Sequence, residues 1–149
     1  MSDRNIVNNF GTVSRMDNLQ AAILNYRFNK LEYVTNKRRA NAKKYFEGII
    51  QNKLFIPKER AYEYNTYHTF VIQTSFRDEL KEYLLRSNIG SAIHYPFPIH
   101  LQPASKRFGY KKGDFPVTEK QSKQILTLPI NQTLSNDDIE RVISKINEF

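Results

Sequence analysis

The distribution of apolar residues predicts a mixed α/β (α+β) domain: a few-stranded sheet backed by helices, with long helices at the N-terminal end. Three observations carry this. Apolar side chains recur at helical spacing over residues 19–31 and again over 42–49. Residues 67–74, YHTFVIQT, are dense in aromatic and β-branched side chains, as strands are. The chain closes on Ile139, Val142, Ile143 and Ile146, the one-sided stripe of a helix that covers a sheet.

The 149 residues suffice for one domain with a real core, and 40% hydrophobic with 26% charged residues suits a globular chain. No run approaches the ~20 apolar residues of a membrane-spanning helix, and the opening MSDRNIVNNF lacks the apolar stretch of a secretory signal. The absence of cysteine excludes disulfides and thiolate metal sites and fits a cytoplasmic protein. A net charge of +8 draws anions: nucleic acid, anionic lipid or phosphate-bearing small molecules.

Residues 1–13 read as a polar lead-in, and 14–149 as the domain proper. The first helix starts near Asp17, whose carboxylate suits the positive end of a helix. Leu19, Ala22, Ile23 and Tyr26 form one stripe on it, and Ala21, Leu24, Phe28 and Leu31 a second. A helix apolar on two sides needs cover on two sides. A second helix is expected over 35–49, burying Ala42, Tyr45, Phe46 and Ile49. Eight basic residues against two glutamates between positions 30 and 58 read as a solvated helix face. Leu54, Phe55 and Ile56 suggest a short strand ended by Pro57.

Residues 67–74 form the clearest strand. Ser75 with Asp78 predicts a capping box for the next helix, which buries Leu80, Tyr83 and Leu84 and ends at Asn88-Ile89-Gly90. Residues 91–94 should return as a strand, making a β-α-β unit. The segment from Lys106 to Asp114 is basic, glycine-bearing and expected to be irregular. Thr118 with Gln121 suggests a short helix to about Ile125, and 126–130 a third strand. Ser135 with Asp138 caps the last helix, and Leu134 and Ile139 can form a hydrophobic staple.

The stretch that stands apart is 89–103, IGSAIHYPFPIHLQP. It holds three of the six prolines and two of the three histidines. Each proline fixes φ, removes a donor and pushes the preceding residue (Tyr95, Phe97 and Gln102) into an extended conformation. Such a loop is stiff, and it can hold His94, Tyr95 and His100 in nearly fixed positions.

Three blocks recur together in one order: GTVSRMDNLQAAIL at 11–24, YHTFVIQT at 67–74, and IGSAIHYPFPIHLQPA at 89–104 followed by GDFPVTEK at 113–120. They resemble the C-terminal part of the DegT/DnrJ/StrS aminotransferases, pyridoxal-phosphate enzymes that aminate nucleotide-linked keto sugars. The family forms of the first two blocks are G-x-N-S-R-M-D-E-L-Q-A-A-I-L and Y-H-L-Y-V-I. The resemblance implies the small C-terminal domain of a fold type I aminotransferase, with the active site shared between subunits of a homodimer. It implies cofactor contacts from Ser14 and Arg15, and nucleotide-sugar contacts from Arg15, His94, Tyr95 and His100. It also implies an amino donor such as glutamate, and no nucleic-acid or membrane partner.

Val13 stands where the family carries an asparagine, and a valine cannot bond a phosphate oxygen. No lysine here lies in the family's Schiff-base motif, so pyridoxal phosphate is not expected on this chain and no catalytic residue is assigned to it. The large domain is taken to lie outside these residues, and the chain alone is expected not to transaminate. The competing class is a small basic nucleic-acid-binding α/β module, suggested by the charge and nine tyrosines but lacking stacking motifs on its strands. A metal site on His68, His94 and His100 lacks supporting ligand spacing, and none is assigned.

Overall fold

The structure is a computed structural model that describes residues 5–149; residues 1–4 of the lead-in lie outside it. Helices α1 (Asn18–Phe28) and α2 (Leu31–Gly48) are followed by strand β1 (Phe70–Gln73) and helix α3 (Arg77–Arg86). Two 3-10 turns (Ile99–Leu101 and Pro103–Phe108) lead to α4 (Pro116–Gln124), β2 (Ile125–Leu128) and α5 (Asn136–Glu148).

β1 and β2 pair antiparallel, Phe70 opposite Leu128 and Gln73 opposite Ile125. Single bridges extend the sheet on both edges, Phe55 to Gln73 outside β1 and Ala92 to Thr127 outside β2. The expected short strands at 54–56 and 91–94 are therefore reduced to one bridged residue each. The expected β-α-β unit is split: α3 connects β1 to the Ala92 segment, and β2, from later in the chain, lies between them.

Phe70, Ile72, Leu126 and Leu128 carry the sheet's apolar side chains into a core closed by Ala42 and Tyr45 of α2, Leu80 and Leu84 of α3, and Ile139, Val142 and Ile146 of α5. Tyr45 is completely buried, with its ring 4.9 Å from Phe70 and its hydroxyl donating to the Pro129 carbonyl at 2.8 Å. At the crossing of α2 and α5, Gly48 leaves room for Ile143; a Cβ there would stand 2.8–2.9 Å from two Ile143 carbons.

The helix ends test the local reading. At α5 the box is formed: Ser135 Oγ accepts from Asp138 N–H at 3.1 Å, and Asp138 accepts from Ser135 N–H at 2.9 Å. At α3 it is not, because the Thr74 hydroxyl accepts from Phe76 N–H at 3.2 Å instead of Ser75 capping toward Asp78. α4 starts two residues before Thr118, with Pro116 in its first turn, where a missing N–H costs nothing. α2 begins at Leu31, four residues ahead of Thr35, so α1 and α2 are separated only by Asn29 and Lys30. Part of the segment 106–114 is ordered as the second 3-10 turn, ended by Gly109 in the left-handed conformation.

α1 differs from every other helix. None of its residues is buried, and Leu19 (72% exposed), Tyr26 (68%) and Phe28 (72%) face outward. Both of its predicted apolar stripes exist and neither is covered by this chain. Among the described residues, no helix is long and apolar enough to cross a membrane.

Candidate functional site

The proline-stiffened corner is built from β2 outward. Ala92 and Thr127 exchange both backbone hydrogen bonds, at 3.1 and 2.7 Å, so the chain entering the corner is clamped to the sheet. One pleat on, His94 Nδ1 lies 3.0 Å from Thr127 Oγ1. With that nitrogen engaged, Nε2 is the ring nitrogen left without a hydrogen-bond partner among the described residues. Tyr95 follows through a cis peptide bond, 67% exposed, its ring 5.4 Å from the His94 ring. The structure thus brings His94 and Tyr95 together on one exposed corner.

His100 goes elsewhere. It is 7% exposed, and its Nε2 lies 3.1 Å from Glu119 Oε1, which also accepts the Gly113 N–H at 2.7 Å. The Gly113 N–H, and after it the His100 contact, hold the Glu119 carboxyl below the usual carboxylate range, against a desolvation that works the other way. His100 therefore ties the corner to the start of α4.

Ser14 and Arg15 lie on the exposed segment before α1, and neither has a hydrogen bond or ion pair to another described residue. The link between that segment and the corner is Gln102, which sequence reasoning identified only as an extended pre-proline residue. Its side chain is buried between the two: Oε1 accepts from Val7 N–H at 2.9 Å and Nε2 donates to the Asn5 carbonyl at 2.9 Å. The Ala104 N–H adds a bond to the Val7 carbonyl at 2.8 Å. A glutamine ahead of a proline is the weak signal that could have suggested this, since its amide can satisfy an adjacent strand-like backbone on both sides.

The basic stretch on α2 is less uniformly solvated than expected. Arg39 makes a bidentate pair with Glu59 (2.8 and 3.0 Å) and donates to the Asn65 carbonyl at 2.7 Å. The Arg39 guanidinium, and then the Asn65 N–H, hold Glu59 below the usual carboxylate range. Arg39, Lys43, Phe46, Lys58, Glu59 and Tyr67 line a groove of about 640 Å³. The three histidines take three separate partners: His68 is 3.3 Å from Arg38 Nη1, His94 meets Thr127, and His100 meets Glu119. Among the described residues no cluster of three or more His, Cys, Asp or Glu side chains could hold a metal ion.

Comparison with known proteins places these features. The model of the DegT/DnrJ/EryC1/StrS aminotransferase family matches residues 1–147. The chain is 37% identical over 142 residues to a pleiotropic regulatory protein of Geobacillus stearothermophilus, covering 93% of this chain and 38% of that protein. It is 32% identical over 139 residues to the dTDP-3-amino-3,6-dideoxy-alpha-D-galactopyranose transaminase of Aneurinibacillus thermoaerophilus, again covering 93% of this chain and 38% of that protein. It superimposes on the crystal structure of S. venezuelae DesV with a TM-score of 0.86 at 32% identity, covering 99% of this chain and 40% of DesV. The chain thus spans well under half the length of the relatives it matches, and its fold is that of their C-terminal region. By its sequence blocks, its fold and the match over residues 1–147, the chain belongs to the DegT/DnrJ/EryC1/StrS aminotransferase family.

Proposed function

We propose that residues 14–149 are the C-terminal domain of an aminotransferase acting on nucleotide-linked keto sugars, and that residues 1–13 join it to the large domain of the family. The observation that carries this is the joint one just described: a family match over residues 1–147, relatives that are dTDP-amino-sugar transaminases, and coverage of only 37–38% of their length. The uncovered apolar faces of α1 support it, because they are the surface such a large domain would bury.

Every lysine among the described residues is exposed or half-buried, whereas a lysine that forms a Schiff base is activated by desolvation or a cationic neighbour. Ser14 and Arg15, exposed and unengaged, fit a phosphate approached from outside this domain. The residues present therefore suit contact with the rim of a pyridoxal phosphate held by the large domain, on one subunit or across a homodimer interface. When bound there, pyridoxal phosphate supplies the electron sink through which an amino donor such as glutamate passes its nitrogen to a keto sugar.

The work of this chain is binding and positioning. The Arg15 guanidinium offers a planar fork of donors to phosphate oxygens, a geometry the Val13 side chain cannot share. His94, aimed by Thr127, and the Tyr95 hydroxyl present a donor pair to the sugar nucleotide at the corner. His100, its Nε2 committed to Glu119, holds that corner still. Charge at the nucleotide phosphates, remote from the reacting carbon, then serves to orient the sugar.

The test assembles the chain with the large-domain portion of the Geobacillus relative, adds pyridoxal phosphate and glutamate, and follows amino transfer to dTDP- and UDP-linked keto sugars. Turnover by the assembly and none by the chain alone supports the proposal. An assembled, folded protein without turnover on any keto sugar nucleotide refutes it.

A further inference from the structure

On α2 a small residue interrupts a run of charge. Residues 37–44 read KRRANAKK, and the exposed Ala40 leaves a gap between the Arg39 and Lys43 side chains. The gap opens onto the groove of about 640 Å³ beside the Arg39–Glu59 pair, a volume within the range of roughly 300–1,000 Å³ typical of small-molecule sites. Its floor is aromatic: the half-buried Phe46 ring stands edge-on to Tyr67, centroids 6.1 Å apart, and to Phe70, 5.3 Å away. Its far wall is the loop 58–67, which is held in place. Arg39 grips Glu59 with two donors and the Asn65 carbonyl with a third, and the Tyr67 hydroxyl donates to Glu59 at 3.5 Å. Tyr67 itself takes φ 45°, its N–H donating to the Asn65 side chain at 2.8 Å. A tyrosine persists in that left-handed conformation only where its surroundings over-determine it.

With Arg39 and Glu59 engaged by each other, the charges left on the rim are Lys43, Glu47 and Lys58. Lys43 and Glu47 lie 3.7 Å apart with both side chains well exposed, a pairing that contributes little in water. Lys58 is exposed and forms no ion pair among the described residues. The rim therefore offers two ammonium groups against one carboxylate. The groove is also separate from the proline-stiffened corner. Leu126 and Leu128 point into the core, so Thr127 between them, with His94 bonded to it, lies on the other face of the sheet. The groove floor packs against Phe70, on the core face.

A surplus of one positive charge above an aromatic floor suits a ligand with a single negative charge and an apolar body. We infer that this groove binds a small amphipathic carboxylate, its carboxylate group on Lys43 and Lys58 and its apolar body over Ala40 and Phe46 against Tyr67. An uncharged apolar occupant would shield the two ammonium groups from water without pairing them. A bare inorganic anion would leave the aromatic floor uncovered. A carboxylate on an aryl or acyl body satisfies both, and each ammonium it meets adds a charge-assisted contact. The site goes beyond the aminotransferase reading and does not rest on it, since it shares no residue with the corner or with the Ser14–Arg15 segment.

The test is an NMR titration of the full chain with 4-phenylbutyrate, with 4-phenylbutanamide and butyrate in parallel. The amide keeps the shape without the charge, and butyrate keeps the charge without the ring. The expected result is saturable shifts of the Ala40, Phe46, Lys58 and Tyr67 amides, with low-millimolar affinity for 4-phenylbutyrate and weaker binding of the other two. Lys43→Glu with Lys58→Glu should together weaken binding about fivefold or more, and the charge reversal Lys81→Glu on α3 should leave it unchanged. Ala40→Gln, an exposed helix position that keeps a good helix former, should fill the groove and abolish binding. The inference is overturned if no groove amide shifts in millimolar 4-phenylbutyrate, or if the neutral amide or butyrate binds as tightly. It is equally overturned if Ala40→Gln or the double charge reversal binds as wild type, or if Lys81→Glu is as damaging as the latter. Loss of binding on assembly with the large-domain portion of a relative would also overturn it, since the groove would then be a contact between domains. Amino transfer by the assembled enzyme decides the proposed function separately, so either can fail while the other stands.

Discussion

Replacing Gln102 by alanine isolates the contact that joins the lead-in to the corner. The substitution removes two side-chain-to-backbone hydrogen bonds of 2.9 Å, to Val7 N–H and the Asn5 carbonyl, and leaves the Ala104–Val7 backbone bond of 2.8 Å. Each lost bond contributes about 0.5–1.5 kcal/mol net. The freed backbone groups lie near the surface, where water replaces the lost partners, so the two together amount to about 1–3 kcal/mol. That loss is local, because neither Gln102 nor Val7 belongs to the apolar core. Amide hydrogen exchange is the assay: protection at Val7 and Ala104 should fall roughly five- to 150-fold, while the urea midpoint of global unfolding moves little. Gln102→Glu, which keeps the acceptor but loses the donor, should fall between wild type and Gln102→Ala. Unchanged protection at Val7, or a global destabilisation as large as the local one, would refute the idea that Gln102 works as a clasp and not as a core residue.

Three further outcomes follow from the packing. Tyr45→Phe strands the half-buried Pro129 carbonyl and should cost about 1–2 kcal/mol by urea denaturation. In the wild type, burial first and the Asp138 carboxylate second push the Tyr45 hydroxyl up, so its contribution holds below the unfolded tyrosine pKa of ~10 and is lost as pH rises above it. Stability measured from pH 9 to 12 should therefore fall less steeply in Tyr45→Phe. Gly48→Ala drives a Cβ into Ile143, and the β-branched side chain has little freedom to yield, so a net loss on the order of 1 kcal/mol is expected despite the better helix former. At acid pH the sign reverses. Glu59 and Glu119 are held below the ordinary carboxylate range, so their stabilisation is present above ~4.3 and lost as pH falls through their folded values. Glu59→Gln and Glu119→Gln should each flatten the loss of stability between pH 5 and 3.

What could be read in advance was what is local. The Ser135–Asp138 box and the stripe of α5 are set by residues three and four apart, and both are formed. The Asn88 turn that ends α3 is local too: Asn88 takes φ 56°, and the Ile89 N–H reaches back to the Leu84 carbonyl at 2.8 Å. What could not be read depends on distant partners. β2 enters the sheet between β1 and the Ala92 segment, so a β-α-β reading taken in chain order places neighbours where there are none. No side chain caps α3, whose N-cap is Phe76; the Thr74 hydroxyl, which also donates to the Lys53 carbonyl at 2.9 Å, takes the Phe76 N–H just before the helix. The same applies to the site. The stiff, exposed corner that carries His94 and Tyr95 was legible from its prolines. The burial of His100 was not, since it depends on Glu119, nineteen residues on. The two stripes of α1 were visible as a pattern, and only the structure shows that this chain leaves both exposed.

Amide exchange along α1 tests most directly whether a large domain covers this helix. An isolated helix of 11 residues with no buried side chain is marginal in water, so Leu19, Ile23 and Leu24 should exchange nearly as fast as an unfolded peptide in the chain alone. On assembly with the large-domain portion of a relative, these amides should become strongly protected as aminotransferase turnover appears. An assembled, active protein in which α1 still exchanges freely would contradict this reading.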